Sequence, residues 1–465
     1  MRATPPGPKG VPVIGNTQRF ARDPFSFLSS CRDAYGDVAR LSLGGDPAYM
    51  LTNPADIERV LVSEERKFRK PMLNDDIRDL LGNGLLLSEG DFWRRERRRT
   101  QPAFDMRRIA GLAGMMTDHT EAMLGDWADG EAVTVDTEMA RLTVKIIVEA
   151  MFGVGFDDAT VERMQANLEP LGRHFEPDVL RTLVPDWVPT EENREYHAAI
   201  ETLEDILEGV LAERRGTERD LPADDGIGGT DGVGGIDANG NQPMDLLSIL
   251  LRARNDDGDE DVDDALVRDE LMTMLLAGHD TTALTLTYTW YLLARNPAIE
   301  AELHAELDEV LGGRVPTTAD VRDLTYTERV LQEAMRLYPP VHMLFREALT
   351  GVRLGGYRVP KGSLLVLPQW AVHRDPRYYD DPLEFDPDRF ASDRTAERPN
   401  YAYFPFGGGP RHCIGKRFSM LEATLILGTV AQKYRLELAA DEPIDLRGSL
   451  TMHPTEPIEA IVRER

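Results

Sequence analysis

The chain has 465 residues, of which 53 are basic and 81 acidic, and its formal net charge is −28. This charge argues against a nucleic-acid partner, because binding phosphates needs lysine and arginine. The two cysteines, Cys31 and Cys413, exclude a disulfide framework and any cysteine-cluster zinc or iron–sulfur site. The length permits one large enzyme domain, and we expect a single domain over residues 1–465.

Only seven of the basic residues are lysines. An acidic surface that is poor in lysine is typical of proteins from salt-loving organisms, where high net charge maintains solubility. We therefore expect a halophilic protein. The first residues contain neither an apolar membrane span nor a signal-peptide core, so we expect a cytoplasmic protein without a membrane span.

The N-terminal region contains short strand-like runs at 38–43 and 48–51, which predict a small sheet. A basic helical segment follows at 92–102, where Trp93 and Arg97 are four residues apart and share one face. Its other arginines are Arg94, Arg95, Arg98 and Arg99. A solvated charged helix is the usual explanation of such a run.

From Ile109 to Leu211 the apolar periodicity is helical, and its three histidines are isolated from other ligand-type residues. Residues 219–243 are then rich in Gly and Asp, and we predict a flexible loop insertion there. Two alternatives are a domain boundary and a calcium loop, although the terminal glutamate of an EF-hand is missing.

A helix of about thirty residues is predicted from Asp264 to Asn296, ending at Pro297, and would be roughly 45 Å long. Its centre, Ala277-Gly-His-Asp-Thr-Thr282, is rich in residues that weaken a helix. Such a centre indicates either a functional site or a packing groove made by small residues.

Glu333 and Arg336 are three residues apart on a further predicted helix, which the Pro339-Pro340 pair ends. Alternating apolar residues between Val341 and Leu367 predict a β region. A later segment, Pro387-Asp-Arg-Phe390, contains a further arginine, Arg389. The most distinctive part of the chain follows this segment.

That part is Phe406-Gly-Gly-Gly-Pro-Arg-His-Cys-Ile-Gly415, followed at once by a helical pattern from Lys416. The glycines and the proline allow a tight turn around Cys413. Free N–H groups at the helix start favour the thiolate, which can act as a nucleophile, a redox thiol or a metal ligand. Taken alone, the loop could also be a capping turn around a structural cysteine.

These ten residues carry the pattern F-x-x-G-x-R-x-C-x-G, which resembles the cysteine-ligand loop of the cytochrome P450 family. Ala277–Thr282 resembles that family's oxygen-binding motif, and Glu333 with Arg336 resembles its E-x-x-R. Trp93 and Arg97 resemble its C helix. The four motifs stand in the family's order and at similar distances.

The resemblance implies a mainly α fold with a minor β region, in which haem b lies between the 264–296 helix and the Cys413 loop. Cys413 would be the metal ligand, with Phe406 packed beside its sulfur and Gly415 completing the loop. Ala277 and Gly278 would leave space above the iron, and Asp280 and Thr281 would relay protons as the catalytic pair. The residues implied to bind the haem propionates are Trp93, Arg97 and Arg411, with Arg346 as a further candidate.

The implied activity is a monooxygenase that inserts one atom of O₂ into a hydrophobic substrate, such as a lipid, fatty acid or terpenoid. Apolar residues Val341, Met343, Leu344, Phe345 and Met452 would line the substrate pocket. Electrons would come from a separate ferredoxin or flavoprotein, since the chain has no dinucleotide fingerprint. We expect a monomer. We also expect the arginines of the 92–102 helix, Arg94, Arg95, Arg98 and Arg99, to form a basic patch with Lys416 and Arg417 that docks an acidic donor.

Two alternatives remain at this point. One is a P450-fold enzyme that uses or rearranges a peroxide, and the other is a non-catalytic haem-thiolate binding protein. Electron-supported consumption of O₂ linked to a product separates both from the monooxygenase.

Overall fold

The structure is a computed structural model that describes residues 4–71, 75–176, 190–219, 245–255, 263–440 and 442–465. The predicted Gly- and Asp-rich insertion at 219–243 lies outside the described residues, apart from Arg219 at the end of a helix.

Helices dominate the described residues. They are α1 Thr17–Arg22, α2 Pro24–Tyr35, α3 Pro54–Glu58, α4 Asp75–Leu81, α5 Gly90–Thr100, α6 Met106–Gly111, α7 Ala113–Gly125, α8 Val135–Phe152, α9 Asp158–His174, α10 Glu191–Arg219, α11 Leu246–Asn255, α12 Asp264–Arg295, α13 Pro297–Val310, α14 Thr325–Leu337, α15 Gln369–Val372, α16 Ser392–Glu397 and α17 Lys416–Lys433.

The strands are short. They are β1 Val38–Leu43, β2 Asp46–Leu51, β3 Phe68–Arg69, β4 Ala132–Thr134, β5 Leu344–Ala348, β6 Val352–Leu354, β7 Tyr357–Val359, β8 Leu364–Leu367, β9 Tyr434–Leu438, β10 Leu446–Gly448, β11 Met452–Pro454 and β12 Glu459–Glu464.

The strands form four small sheets among the described residues. The largest has the order β1-β2-β8-β5-β3, in which only β2 and β8 are parallel, and a second has the order β4-β12-β9. The pairs β6-β7 and β10-β11 are antiparallel hairpins. The mainly α fold with a minor β region agrees with the expectation.

Helix α12 crosses the interior, as its predicted length requires. Asp263 caps its first turn by accepting a hydrogen bond from Leu266 N at 2.8 Å, and Pro297 begins the next helix. Residues on all sides of α12 are buried, and it packs most extensively against α8. A helix buried all round belongs in the centre of a large core.

Helix α14 is anchored by a fully buried ion pair. Arg336 donates two hydrogen bonds of 2.7 Å to Glu333, and Arg389 Nε lies 3.3 Å from the same carboxylate. Arg336 also donates to the carbonyls of His373, Pro382 and Glu384. Because each of these groups is buried and partnered, the network fixes the segment that leads to the Cys413 loop.

One strand lies where only helices were expected. β4 falls within the region 109–211 and pairs with β12, with Thr134 opposite Glu459. A three-residue strand shows too little periodicity to be predicted, and its partner is more than three hundred residues away in sequence. The expectation of a purely helical region was therefore wrong at β4.

Candidate functional site

The Cys413 loop is held in one conformation by its backbone. Gly409 has a φ of +65°, and a Cβ added there would lie 1.9 Å from the carbonyl oxygen of Leu61. Cys413 N donates to Phe406 O at 3.0 Å, and α17 starts three residues after the cysteine. The glycine is therefore required at this position, both by its φ and by the close approach of Leu61.

The side chain of Cys413 is exposed to a cavity of about 1140 Å³. Burial among the surrounding groups raises the pKa of its thiol, while the N–H groups of Gly415 and Lys416 and the charge of Arg97 oppose the rise. The helix start therefore lowers the pKa of the thiol as expected, but the loss of water around the thiol has the larger effect and raises it.

The cavity is strongly cationic although the whole chain is acidic. Two of its lining residues, Glu65 and Glu89, are acidic, whereas ten are basic. The basic residues are Arg66, Arg69, Lys70, Arg94, Arg97, Arg98, Arg346, Arg411, Lys416 and Arg417. Such a concentration of positive charge beside a thiol favours an anionic ligand.

Arg411 lies between an aromatic ring and a carboxylate. Its guanidinium carbon is 4.2 Å from the centre of the Trp93 ring, and Nη2 is 2.7 Å from Glu89 Oε2. Its Nη1 is buried and makes no hydrogen bond within the described residues. Arg411 therefore retains a buried donor that is available to a ligand.

Arg97, Arg346 and Lys70 complete the cationic surroundings. Arg97 Nη2 lies 3.4 Å from His412 Nε2, and Arg346 donates to the carbonyl of Phe345 at 2.7 Å. Burial, followed by repulsion from Arg411, lowers the pKa of Arg346 to about 10. Burial and the charges of Arg346 and Arg411 lower the pKa of Lys70 to about 7.

These groups fit a haem. Two propionates would neutralise cations that repel one another, and a soft thiolate beside them suits an iron ligand. Trp93, Arg97, Arg346 and Arg411 all line the cavity with Cys413, and their binding of the haem propionates, which the family resemblance implies, stays a prediction. Lys70 was missed, since an isolated lysine on an irregular segment carries no sequence signal.

Phe406 and Gly415 bracket the cysteine. The ring of Phe406 is partly buried, with Lys416 Nζ 5.6 Å from its centre. A Cβ on Gly415 would lie 4.0 Å from Cys413 Sγ, an ordinary contact distance. The packing of Phe406 against the sulfur stays a prediction, whereas its carbonyl visibly holds the Cys413 backbone.

The predicted basic patch is only partly correct. Arg94, Arg98, Lys416 and Arg417 line the mouth of the cavity with Cys413, and Arg94 and Arg98 are exposed. Arg99 instead pairs with Glu96, whose side chain is fully buried. Arg99 was wrongly placed on the docking surface, because the helical rotation of α5 turns it towards the core.

Helix α12 lies next to α17, the helix that Cys413 precedes. Thr282 Oγ1 is 3.0 Å from Ser419 Oγ, which joins the two helices directly. Ala277 is exposed, and its carbonyl accepts a 3.0 Å hydrogen bond from Thr281 Oγ1. Gly278 faces Ile147 of α8, since an added Cβ would lie 2.6 Å from Ile147 Cγ1. The glycine thus has a packing role, and its role in leaving space above iron stays a prediction.

The carboxylate of Asp280 points to the C-terminal hairpin. Thr451 Oγ1 donates to Asp280 Oδ2 at 2.6 Å, and His453 Nε2 lies 3.4 Å from the same oxygen. Burial on its own would raise the pKa of Asp280, but His453, then the charge of His279 and then the hydrogen bond from Thr451 hold it below its usual value. Thr451 and His453 were not predicted from the sequence, because they lie about 170 residues from Asp280.

Two of the predicted pocket residues belong to the core. Met452 is fully buried against Phe25, Leu284 and Tyr288, and its carbonyl accepts a 2.7 Å hydrogen bond from the Tyr288 hydroxyl. Met343 is buried in a separate cluster under the large sheet. The prediction that Met452 lines the pocket is therefore wrong. Leu344 is only partly buried and lies 3.6 Å from the Cβ position of Gly407, in the Cys413 loop.

No helix among the described residues combines the length and the apolarity that crossing a membrane requires.

Comparison with known proteins agrees with this geometry. The family model described as cytochrome P450 matches residues 5–461. Cyclooctat-9-en-7-ol 5-monooxygenase of Streptomyces melanosporofaciens is 35% identical over 433 residues, which cover 92% of this chain and 88% of that protein. Pentalenene oxygenase of Streptomyces avermitilis is 31% identical over 444 residues, which cover 94% and 92%.

Among solved structures, the crystal structure of the cytochrome P450DA haem domain superposes with a TM-score of 0.83 at 30% identity. The match covers 99% of this chain and 98% of that one. Together with the cysteine loop and its cationic cavity, these likenesses show that the fold is the P450 fold, whose members bind haem. The chain therefore belongs to the cytochrome P450 family and is a P450 monooxygenase, an oxidoreductase.

Proposed function

We propose that this protein uses haem b to insert one oxygen atom from O₂ into a C–H bond of a terpenoid substrate. Electrons come from a separate ferredoxin or flavoprotein. The observation that carries the proposal is the position of Cys413, whose thiol opens into a cavity with ten basic lining residues. Ten positively charged residues around one thiol favour a bound anionic group, such as the propionates of haem.

The substrate class is supported by the names of the relatives. One is named for cyclooctat-9-en-7-ol and another for pentalenene, and each matches this chain over more than nine-tenths of its length. These names favour a terpenoid over a fatty acid or another lipid.

The protein's own groups have distinct tasks. Cys413 holds the metal, while Trp93, Arg97, Arg346 and Arg411 bind the carboxylates of the cofactor. When bound, the haem supplies the activation of O₂ and the transfer of one oxygen atom to the substrate. Asp280, a carboxylate at rest, accepts a proton at Oδ2 and passes it on to the site, and Thr281, whose Oγ1 is hydrogen-bonded to the carbonyl of Ala277, is its partner in that relay.

Electrons enter where the cavity lining is exposed to solvent. Arg94, Arg98, Lys416 and Arg417 form an exposed cationic mouth beside Cys413. An acidic donor would be steered to this mouth by charge.

The first test is the absorption spectrum of the dithionite-reduced, CO-bound protein, with wild type beside Cys413→Ala. We expect a strongly red-shifted Soret band that the substitution abolishes, because only a thiolate ligand produces it. A band typical of a histidine ligand in the wild type would overturn the assignment of Cys413.

Activity is tested with ¹⁸O₂ and a panel of cyclic terpenes and fatty acids, in the presence of a ferredoxin and its reductase. Incorporation of one ¹⁸O atom into a terpene is the expected result. If product forms from added peroxide in the absence of an electron donor, the result would instead favour a peroxide-using enzyme. Haem binding without O₂ consumption would favour a binding protein.

A further inference from the structure

We propose that Thr451 and His453, on the C-terminal hairpin, form a proton path from water to Asp280. Both act through Asp280 and are therefore positioning residues for the reaction. This inference rests on the function proposed above, in which Asp280 supplies protons.

The direction of the hydrogen bonds follows from chemistry. Asp280 is ionised and can only accept, so the Thr451 hydroxyl, 2.6 Å away, donates its one proton to Oδ2. Thr451 Oγ1 also lies 2.9 Å from His453 Nε2. Because the hydroxyl proton is already used, Nε2 must be the donor in that contact. The three groups therefore form a chain with every proton pointing towards Asp280.

A proton can pass along this chain without any side chain moving far. The Nε2 proton of His453 goes to Thr451 Oγ1 as the hydroxyl's own proton goes to Asp280 Oδ2. His453 thus changes from imidazolium to neutral imidazole as Asp280 changes from carboxylate to acid. Once Asp280 has passed its proton to the site, the imidazole takes a new proton from bulk solvent, so charge and atoms balance over the cycle. His453 retains 26% of its side-chain surface exposed, which allows that exchange, and Asp280 retains 23%.

The charges around His453 favour its protonated form. Burial alone would lower its pKa, but Asp280 on α12 raises the pKa above the ordinary value, with a smaller contribution from Asp136 on α8. Arg447, opposite His453 in the β10–β11 hairpin, acts against this and is itself paired with Glu176 at 2.9 Å. His279, next to Asp280, is buried, and its Nδ1 is 2.8 Å from the carbonyl of Leu275. Of the two histidines near Asp280, His453 is the one that contacts Thr451, and the charges around it favour its protonated form.

The path has a matched pair of variants. Thr451→Val keeps the shape of the side chain but removes the hydroxyl, whereas Thr451→Ser keeps the hydroxyl. His119→Gln is the control for His453→Gln, because His119 also pairs with a carboxylate, Glu149, at 2.7 Å and is 25% exposed. His119 lies on α7, outside the site described above.

The first measurement is an NMR titration of the imidazole signal of His453 in the reduced, CO-bound protein. The signal is assigned by its loss in His453→Gln. We expect a pKa above the ordinary value for histidine and a fall of about one unit in Asp280→Asn, which removes the counter-charge. An unchanged pKa in Asp280→Asn would overturn the proposal, and this result does not depend on turnover.

The second measurement is the hydrogen peroxide released per O₂ consumed, with a plant-type ferredoxin and its reductase as donor and no added substrate. Thr451→Val and His453→Gln should each release at least about three times as much peroxide per O₂ as the wild type, because loss of a general acid slows proton delivery. Thr451→Ser and His119→Gln should match the wild type. In the wild type the peroxide fraction should rise with pH as His453 loses its proton, and this rise should be absent in His453→Gln.

The two proposals fail in different ways. If the red-shifted CO band is absent, or no O₂ is consumed, the proposed function is wrong. If the band is normal but Thr451→Val and Thr451→Ser release equal amounts of peroxide, the proton path alone is wrong. The band also shows that each variant has folded around its haem.

Discussion

Single buried residues account for much of the electrostatics around the cofactor site. Lys70 and Arg346 have lowered pKa values because they have lost water and face other cations. Anionic propionates would relieve both effects. Glu422, on the helix that follows Cys413, is also fully buried. Because Glu422 is an acid, burial raises its pKa instead of lowering it.

Glu422 should make stability depend on pH. Burial raises its pKa to about 8, although Thr282 opposes the rise. The unfolded carboxyl has a pKa of about 4.3, so the folded chain binds the extra proton between these values. Stability from this group is therefore complete at low pH and declines as pH rises through this range, by on the order of 5 kcal/mol in total.

Glu422→Gln should remove that decline. The variant should unfold at higher urea concentration than wild type at pH 9, with the difference shrinking towards pH 5. Urea unfolding of the holoprotein across pH 5–9 measures this directly. Parallel pH profiles for the two proteins would show that Glu422 is already ionised in the folded state.

At the level of elements, the site depends on how α8, α12 and α17 pack. Gly278 lets α8 approach α12, and the Thr282–Ser419 contact joins α12 to α17. The small residues at the centre of α12 thus serve packing as well as chemistry. This explains why the helix tolerates residues of poor helical propensity at its centre.

Gly278→Ala should destabilise the wild type yet stabilise an Ile147→Ala background. The new Cβ would lie 2.6 Å from Ile147 Cγ1, which costs about 1–3 kcal/mol in a packed core. Where Ile147 is truncated, only the helix propensity gain of about 1 kcal/mol remains. A double-mutant cycle by urea unfolding measures the difference.

Gly209→Ala is the matched control, because Gly209 is in α10 and no atom lies within 4 Å of its added Cβ. It should be stabilising in both backgrounds. Gly278→Ala with the same sign in both backgrounds would refute close contact between the two helices.

For the whole molecule, the main feature is an uneven distribution of charge. A chain with a net charge of −28 collects ten basic residues around one cavity. The proposed acidic donor would be repelled by the net negative charge of the chain and attracted to the basic residues around this cavity. The expectation that the acidic surface is an adaptation to high salt stays a prediction.

Reversing the charge at Arg94 and Arg98 together, to glutamate, should slow reduction by a ferredoxin about tenfold at low ionic strength. The loss should shrink as salt is added, because screening shortens the range of the attraction. Stopped-flow reduction measures the rate, and the CO-bound spectrum should not change.

Arg322→Glu with Arg358→Glu is the control pair, since both residues are exposed and neither lines the cavity. Equal slowing by the control pair would mean that net charge alone, and not the cavity mouth, governs the encounter.

The sequence alone was sufficient for the elements whose chemistry is local. The Cys413 loop, helix α12 and the Glu333–Arg336 pair each depend on residues close together in the chain. Their spacing therefore predicts which of these residues share a turn or a helical face before any tertiary contact is considered. The same is true of Trp93 and Arg97, one helical turn apart on α5.

Only the tertiary structure decided the contacts between distant residues. Lys70 beside Arg411, Arg99 turned towards Glu96, Met452 in the core and His453 beside Asp280 all depend on how whole elements rotate and pack. A spacing pattern predicts which residues share a face, but it does not say what that face meets. For this reason the Cys413 loop could be recognised in the sequence and the reaction class inferred from its resemblance to the P450 family, whereas the contacts of Asp280 with Thr451 and His453 required the fold.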